Sequence, residues 1–107
     1  ESMYRAPKPL KIPHMTQIDN THIVVGKPPN IFLSRTDKVR EVGWDDNIRM
    51  MDHKEFFIRA AGNLVATIAA DTVIFHCHNP FDRKYQKYRQ DVEGDRAYIR
   101  KKYAKFH

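Results

Sequence analysis

The densest set of reactive side chains in the sequence is His76-Cys77-His78. Imidazole and thiolate are zinc ligands, and a thiolate beside an imidazole is the pairing of a cysteine nucleophile. The spacing argues against both. Adjacent helical residues point about 100° apart, so three in a row cannot converge on one ion. Structural zinc takes four ligands, usually as spaced pairs, and His14, His22, His53 and His107 show no such spacing. A nucleophile also needs an orienting group and an enclosed pocket. The simpler role for these histidines is a helix end, where they bond the last carbonyls. Gly26, Gly43, Gly62 and Gly94 stand singly, so no phosphate-binding loop exists, and no carboxylate pair stands out. The expectation is a non-enzyme with no catalytic residue, no metal and no cofactor.

A second chemistry lies in Arg83-Lys84-Tyr85-Gln86-Lys87-Tyr88-Arg89, where aromatics between cations could stack on exposed bases. The chain carries 19 basic and 13 acidic residues, and nine of the basic and four of the acidic lie in residues 80–107. A basic tail suits RNA or an anionic lipid surface, and equally a solvated, charge-laced helix. The tyrosines keep helical spacing: Tyr85, Tyr88, Val92, Ile99, Tyr103 and Phe106 form a stripe that reads as a packing face.

The elements that must position these groups divide the 107 residues into four. Residues 1–30 hold five of the six prolines, which fix φ and remove donors, so an extended arm is predicted. Its one β-branched run, residues 23–25, could add to a neighbour's sheet. Residues 31–51 read as short helical and irregular structure: Ser34 and Asp37 resemble a capping box for a helix through Arg40, which Gly43 breaks. Asp52 and Glu55 have the same spacing before an apolar run, so residues 52–78 are predicted as one helix beginning near Asp52. Asn79-Pro80 ends that helix and caps the next, a basic amphipathic helix over residues 79–107, with Asp82 in its first turn. The single cysteine precludes an internal disulfide. The first residue is Glu1 rather than methionine, which reads as a removed leader or a trimmed product.

The predicted central helix has a run of twenty residues, 56–75, that reaches about 30 Å, the thickness of a bilayer core. A mid-helix charge costs about 2.5–3.5 kcal/mol on insertion, against about 0.3–0.6 kcal/mol returned by each large apolar residue. Alone it would insert poorly. Its polar residues are one-sided, however. Arg59, Asn63, Thr67 and Asp71 recur every fourth position beside the small residues Gly62, Ala66 and Ala70. Phe57, Leu64, Ile68 and Phe75 lie opposite. Such a face suits close packing against other protein within a membrane, and equally a soluble amphipathic helix packed on a partner. Length favours a single-pass transmembrane helix, with the basic C-terminal flank on the matrix or cytosolic side. The expected fold is mainly α and not independently globular.

The layout of proline-rich arm, imperfect span and tail, Tyr98-Ile99-Arg100-Lys101-Lys102-Tyr103-Ala104-Lys105-Phe106-His107, resembles the small accessory subunits of mitochondrial inner-membrane complexes. It is similar to the basic ends of accessory subunits of respiratory complex I and of the small f-type subunit of ATP synthase. The resemblance implies a non-catalytic role in assembly or stability of an electron-transport complex, complex I first. It implies protein subunits and the lipid bilayer as partners and the inner membrane as location. It assigns no functional residue. The alternative is a peripheral RNA-contacting protein of an organellar ribosome.

Overall fold

The computed structural model describes residues 6–106; residues 1–5 of the arm and His107 of the tail lie outside the described residues. The β-branched run forms β1 (His22–Val25), and its partner lies in the same chain. The turn before it is set by Asp19, whose carboxylate accepts from the Thr21 and His22 backbone N–H groups at 2.8 and 2.9 Å. β1 pairs antiparallel with β2 (Ala66–Ala69), with Val24 opposite Thr67. The arm doubles back beside β1, where Met15 N–H donates to the Val24 carbonyl and Val24 N–H to the Thr16 carbonyl.

α1 (Thr36–Val42) follows, and ends at Gly43, whose φ of +66° few other residues adopt readily. Its start has no side-chain cap, so the expected Ser34 box does not form; Ser34 donates to the Arg35 carbonyl instead.

The long central helix is corrected. α2 (Asp52–Ala60) has nine residues, and among the described residues no helix is long and apolar enough to cross a membrane. The single-pass architecture is therefore overturned, and a two-stranded sheet joins the helices. The break falls at Gly62, with φ +81°, where a Cβ would stand 2.6 Å from Lys8 Cβ and 2.9 Å from the Pro9 carbonyl oxygen. Beyond it the β-branched Thr67 and Ile68 sit in β2, the conformation their crowded χ1 favours. Residues 72–79 carry no regular element.

The single C-terminal helix is corrected as well. α3 (Arg83–Gln90) and α4 (Glu93–Lys102) are separated by non-helical backbone at Asp91 and Val92, not by Gly94, and a short 3₁₀ turn (Ala104–Phe106) follows. Asp82, not Asn79, caps α3 by accepting from Tyr85 N–H at 2.9 Å, while Asn79 accepts from Phe81 N–H.

α2 organises the core. Ile58 packs with Ile48, Ile99 and Tyr103 toward α4, and Phe56, Phe57 and Ala60 pack with Val39 and Val42 of α1 and with Leu64 and Ala66. Asp52 does not cap this helix. Asp95 of α4 does so from a distance: its buried carboxylate accepts from Arg49, Met50 and Met51 N–H groups, the closest at 2.6 Å. Burial raises the Asp95 pKa, but the three N–H groups outweigh it and hold the carboxyl below its ordinary value.

Candidate functional site

α2 places Glu55 and Arg59 on one row, four residues apart. Glu55 is 1% exposed and accepts from the Arg59 guanidinium at 2.6 Å, the Lys102 ammonium at 2.8 Å and the Tyr103 hydroxyl at 2.6 Å. Burial pushes the Glu55 carboxyl up, and these three donors bring it below its ordinary value. The Tyr103 phenol is pushed up by burial and by the bond it donates to Glu55. Lys102 also donates to Asp45 at 2.7 Å, as does Tyr98. Arg59 continues to the Val42 and Gly43 carbonyls. The network ties α2, α4 and the α1–α2 loop together, so its charges are structural and fully engaged.

His53 sits differently. It lies one turn before Phe57, and its ring meets that ring edge-on at 5.2 Å. Its Nε2 is buried and, among the described residues, is the one buried side-chain nitrogen or oxygen with no hydrogen-bond partner. Burial lowers the ring's pKa below its ordinary value, and the Lys27 charge adds to this; the Pro28 carbonyl and the Asp52 carboxylate act against it. With Nδ1–H directed to the Pro28 carbonyl, the neutral tautomer leaves a bare lone pair on Nε2. A buried polar atom without a partner carries a cost, and such atoms and perturbed pKa values concentrate at functional sites.

Next to α2, the Trp44 ring stacks on Phe56 at 4.2 Å between centroids, and Phe32 approaches Phe56 at 6.5 Å and Phe57 at 5.7 Å. Trp44 is 46% exposed and borders an open groove of about 400 Å³, lined also by Ser34, Thr36, Val39, Arg40 and Gly43.

The expected packing face does not assemble. Arg59 turns into the ion-pair network, Asn63 donates to the Arg59 carbonyl, and Gly62 forms the turn. Ala66 and Thr67 are in β2, and Ala70 N–H donates to the Thr21 carbonyl. Asp71 is exposed. The C-terminal stripe divides: Ile99 and Tyr103 are core, Val92 is half-buried, and Tyr85 and Tyr88 are each 48% exposed. Tyr88 lies under the Arg49 guanidinium at 4.5 Å. His76, Cys77 and His78 are exposed on the irregular segment, and no metal-holding cluster occurs among the described residues. Sequence reasoning set His53 aside as a ligand without zinc spacing; only the cover of Lys27 and Pro28 makes it unusual, and that is a tertiary contact.

No family model matches the chain, and no solved structure matches it. It is similar to beta-1,4 N-acetylgalactosaminyltransferase 1 of the rat, 33% identical over 81 residues, which is 67% of this chain and 15% of that protein. The mouse protein of that name matches equally, 33% over 81 residues. The human one is 47% identical over 47 residues, 44% of this chain and 9% of that protein. The chain thus spans 15% or less of the length of the curated relatives it matches.

Proposed function

We propose that this chain forms part of a glycosyltransferase that moves an N-acetylgalactosaminyl group to a sugar hydroxyl, with His53 as the general base. The observation that carries the reading is the buried, unpartnered Nε2 of His53 in a chain similar to proteins named for that transfer. In such a reaction the acceptor oxygen attacks the anomeric carbon, the bond to the leaving group breaks, and the hydroxyl proton passes to a base. A neutral imidazole with a free lone pair near pH 7 is suited to take it. The Pro28 carbonyl holds Nδ1–H, and so keeps the lone pair on Nε2. The Glu55 network holds α2, and so His53, in place. The rest of such a site comes from other parts of the transferase.

The test is transfer of N-acetylgalactosamine by the full-length protein carrying this chain. His53→Gln should slow turnover by about 10²–10⁴-fold, the usual range for a lost general base, with the melting temperature unchanged. Full activity in that variant sinks the assignment. A second reading, the non-catalytic subunit of a larger assembly expected from the sequence, is favoured by the exposed Val73, Phe75 and Phe81. It predicts that His53→Gln is silent while Phe75→Asp releases the chain from its partners.

A further inference from the structure

We propose that residues 72–75 are a β-strand whose sheet is supplied by another part of the same protein. The inference rests on the reading of this chain as part of a larger transferase, though not on His53. Thr72-Val73-Ile74-Phe75 joins three β-branched residues to an aromatic one, the side chains most enriched in strands. Yet the run carries no regular element. Val73 is 80%, Ile74 53% and Phe75 96% exposed. Among the described residues, no N–H or C=O of Val73, Ile74 or Phe75 has a hydrogen-bond partner. Apolar side chains and backbone groups are thus left unpaired at the same three residues. A helix or an apolar ligand laid on the run would cover the side chains and leave the backbone row unpaired. A neighbouring strand satisfies both at once.

The adjacent sheet does not take the run. β2 ends at Ala69, and the chain turns through Ala70 and Asp71, where Thr72 N–H donates to the Ala69 carbonyl at 3.3 Å. A tight two-residue hairpin needs positive φ in its loop. Neither Ala70 nor Asp71 has it. The turn therefore splays the run away from β2, and among the described residues it pairs with no other strand. The residues of the run also say which kind of sheet it fits. In a strand, Val73 and Phe75 share one face and Ile74 takes the other. Both faces are then apolar, the pattern of an inner strand covered on both sides, as in parallel sheets flanked by helices. An edge strand carries a charge or a proline to blunt it, and residues 72–75 hold neither. Most of the length of the relatives lies outside this chain, which leaves room for such a sheet.

The test is hydrogen exchange, read by mass spectrometry, on the full-length protein carrying this chain. The expected result is exchange at the Val73, Ile74 and Phe75 amides about 100-fold or more slower than in a free peptide of the same sequence. Exchange at the free-peptide rate overturns the inference. So does protection that vanishes on dilution, which marks a second copy as the cover, or protection that needs anionic lipid vesicles, which marks a membrane surface. Two variants separate backbone pairing from apolar burial. Ile74→Val keeps the N–H and the β-branch and should retain the protection. Ile74→Pro removes the N–H and should abolish protection at Val73 and Phe75 as well. Protection of those two amides in Ile74→Pro equal to the parent's also overturns the inference. Failure of the two ideas is distinguishable. Protected amides at 73–75 with full transfer by His53→Gln remove the base and leave the strand. Transfer dependent on His53 with those amides exchanging freely removes the strand alone.

Discussion

Replacing Asp95 with alanine should be among the most damaging single changes in the chain, although Asp95 lies in a charged helix with no apolar role. Its carboxylate accepts from three successive backbone N–H groups, those of Arg49, Met50 and Met51, at 2.6 to 3.2 Å. Removing an ordinary N-cap costs about 0.5–2 kcal/mol. Here three donors lose one acceptor. A buried donor left without a partner costs about 1–3 kcal/mol. Asp95 is 8% exposed, so water reaches the vacated site only in part. The expected loss is about 3 kcal/mol, above an ordinary cap and at the lower end for three buried donors, because water replaces part of what is lost. At an m-value of about 1–3 kcal/mol/M the urea midpoint should fall by roughly 1–3 M. The assay is urea unfolding followed by far-UV circular dichroism, with Asp95→Asn as the graded control. Asparagine keeps one acceptor oxygen and should lose about half as much. Asp19→Ala is the second control: its bonds to Thr21 and His22 are as short but exposed, so its midpoint should stay near that of the parent. An Asp95→Ala midpoint that also matches the parent would refute the cap as the device that starts α2.

Acid should unfold the chain early. Glu55, Asp45 and Asp95 all have folded pKa values below their ordinary ones. The unfolded state therefore binds more protons in the acid range, and stability rises with pH there. The contribution is complete above about pH 5 and is lost as pH falls through the folded values; a urea midpoint at pH 3 equal to that at pH 6 would contradict this. Gly62→Ala should cost about 1–3 kcal/mol from positive φ alone, with more from the contact at 2.6 Å to Lys8 Cβ, whereas Gly94→Ala, where nothing lies within 4 Å, should be neutral or stabilising; equal thermal shifts for the two would remove the turn argument. Lys27→Met should raise the His53 pKa, since the Lys27 charge is one of the two causes that lower it; an unshifted imidazole titration by NMR would show that burial acts alone.

The sequence made the short-range features legible and hid the long-range ones. The 23–25 run and the helix ending near Gly43 were readable because local chemistry decides them: β-branching and a positive φ. The central span was misread because the alternation of small and polar residues after Ala60 fits a helix on paper. Gly62 is a turn for a reason that lies 54 residues away in sequence, where Lys8 and Pro9 press on it. The cap was misassigned for the same kind of reason: Asp52 has the right spacing and Asp95 has the right place. The His53 site was invisible because histidine spacing is a test for metals, and an orphaned imidazole is defined by what covers it.

The nine residues of α2 show how one short helix carries a fully bonded face and an orphaned imidazole at once. Glu55 and Arg59 form one row, and His53 and Phe57 form another two residues away, which is a rotation of about 200°. The two rows therefore lie on nearly opposite sides. On the first, every charge has partners, and the carboxylate is fixed by three donors from two elements. On the second, the imidazole has an apolar neighbour and a nitrogen with none. The stabilising bonds anchor the helix without neutralising the lone pair, because they cannot reach it. An orphaned nitrogen costs stability wherever it stands, and it persists only where the surrounding structure holds it. Here the Glu55 network and the Asp95 cap fix the position and the start of the helix that carries it. The bonded side of α2 thus holds the orphaned side in place, and the two are separated by a half-turn of helix.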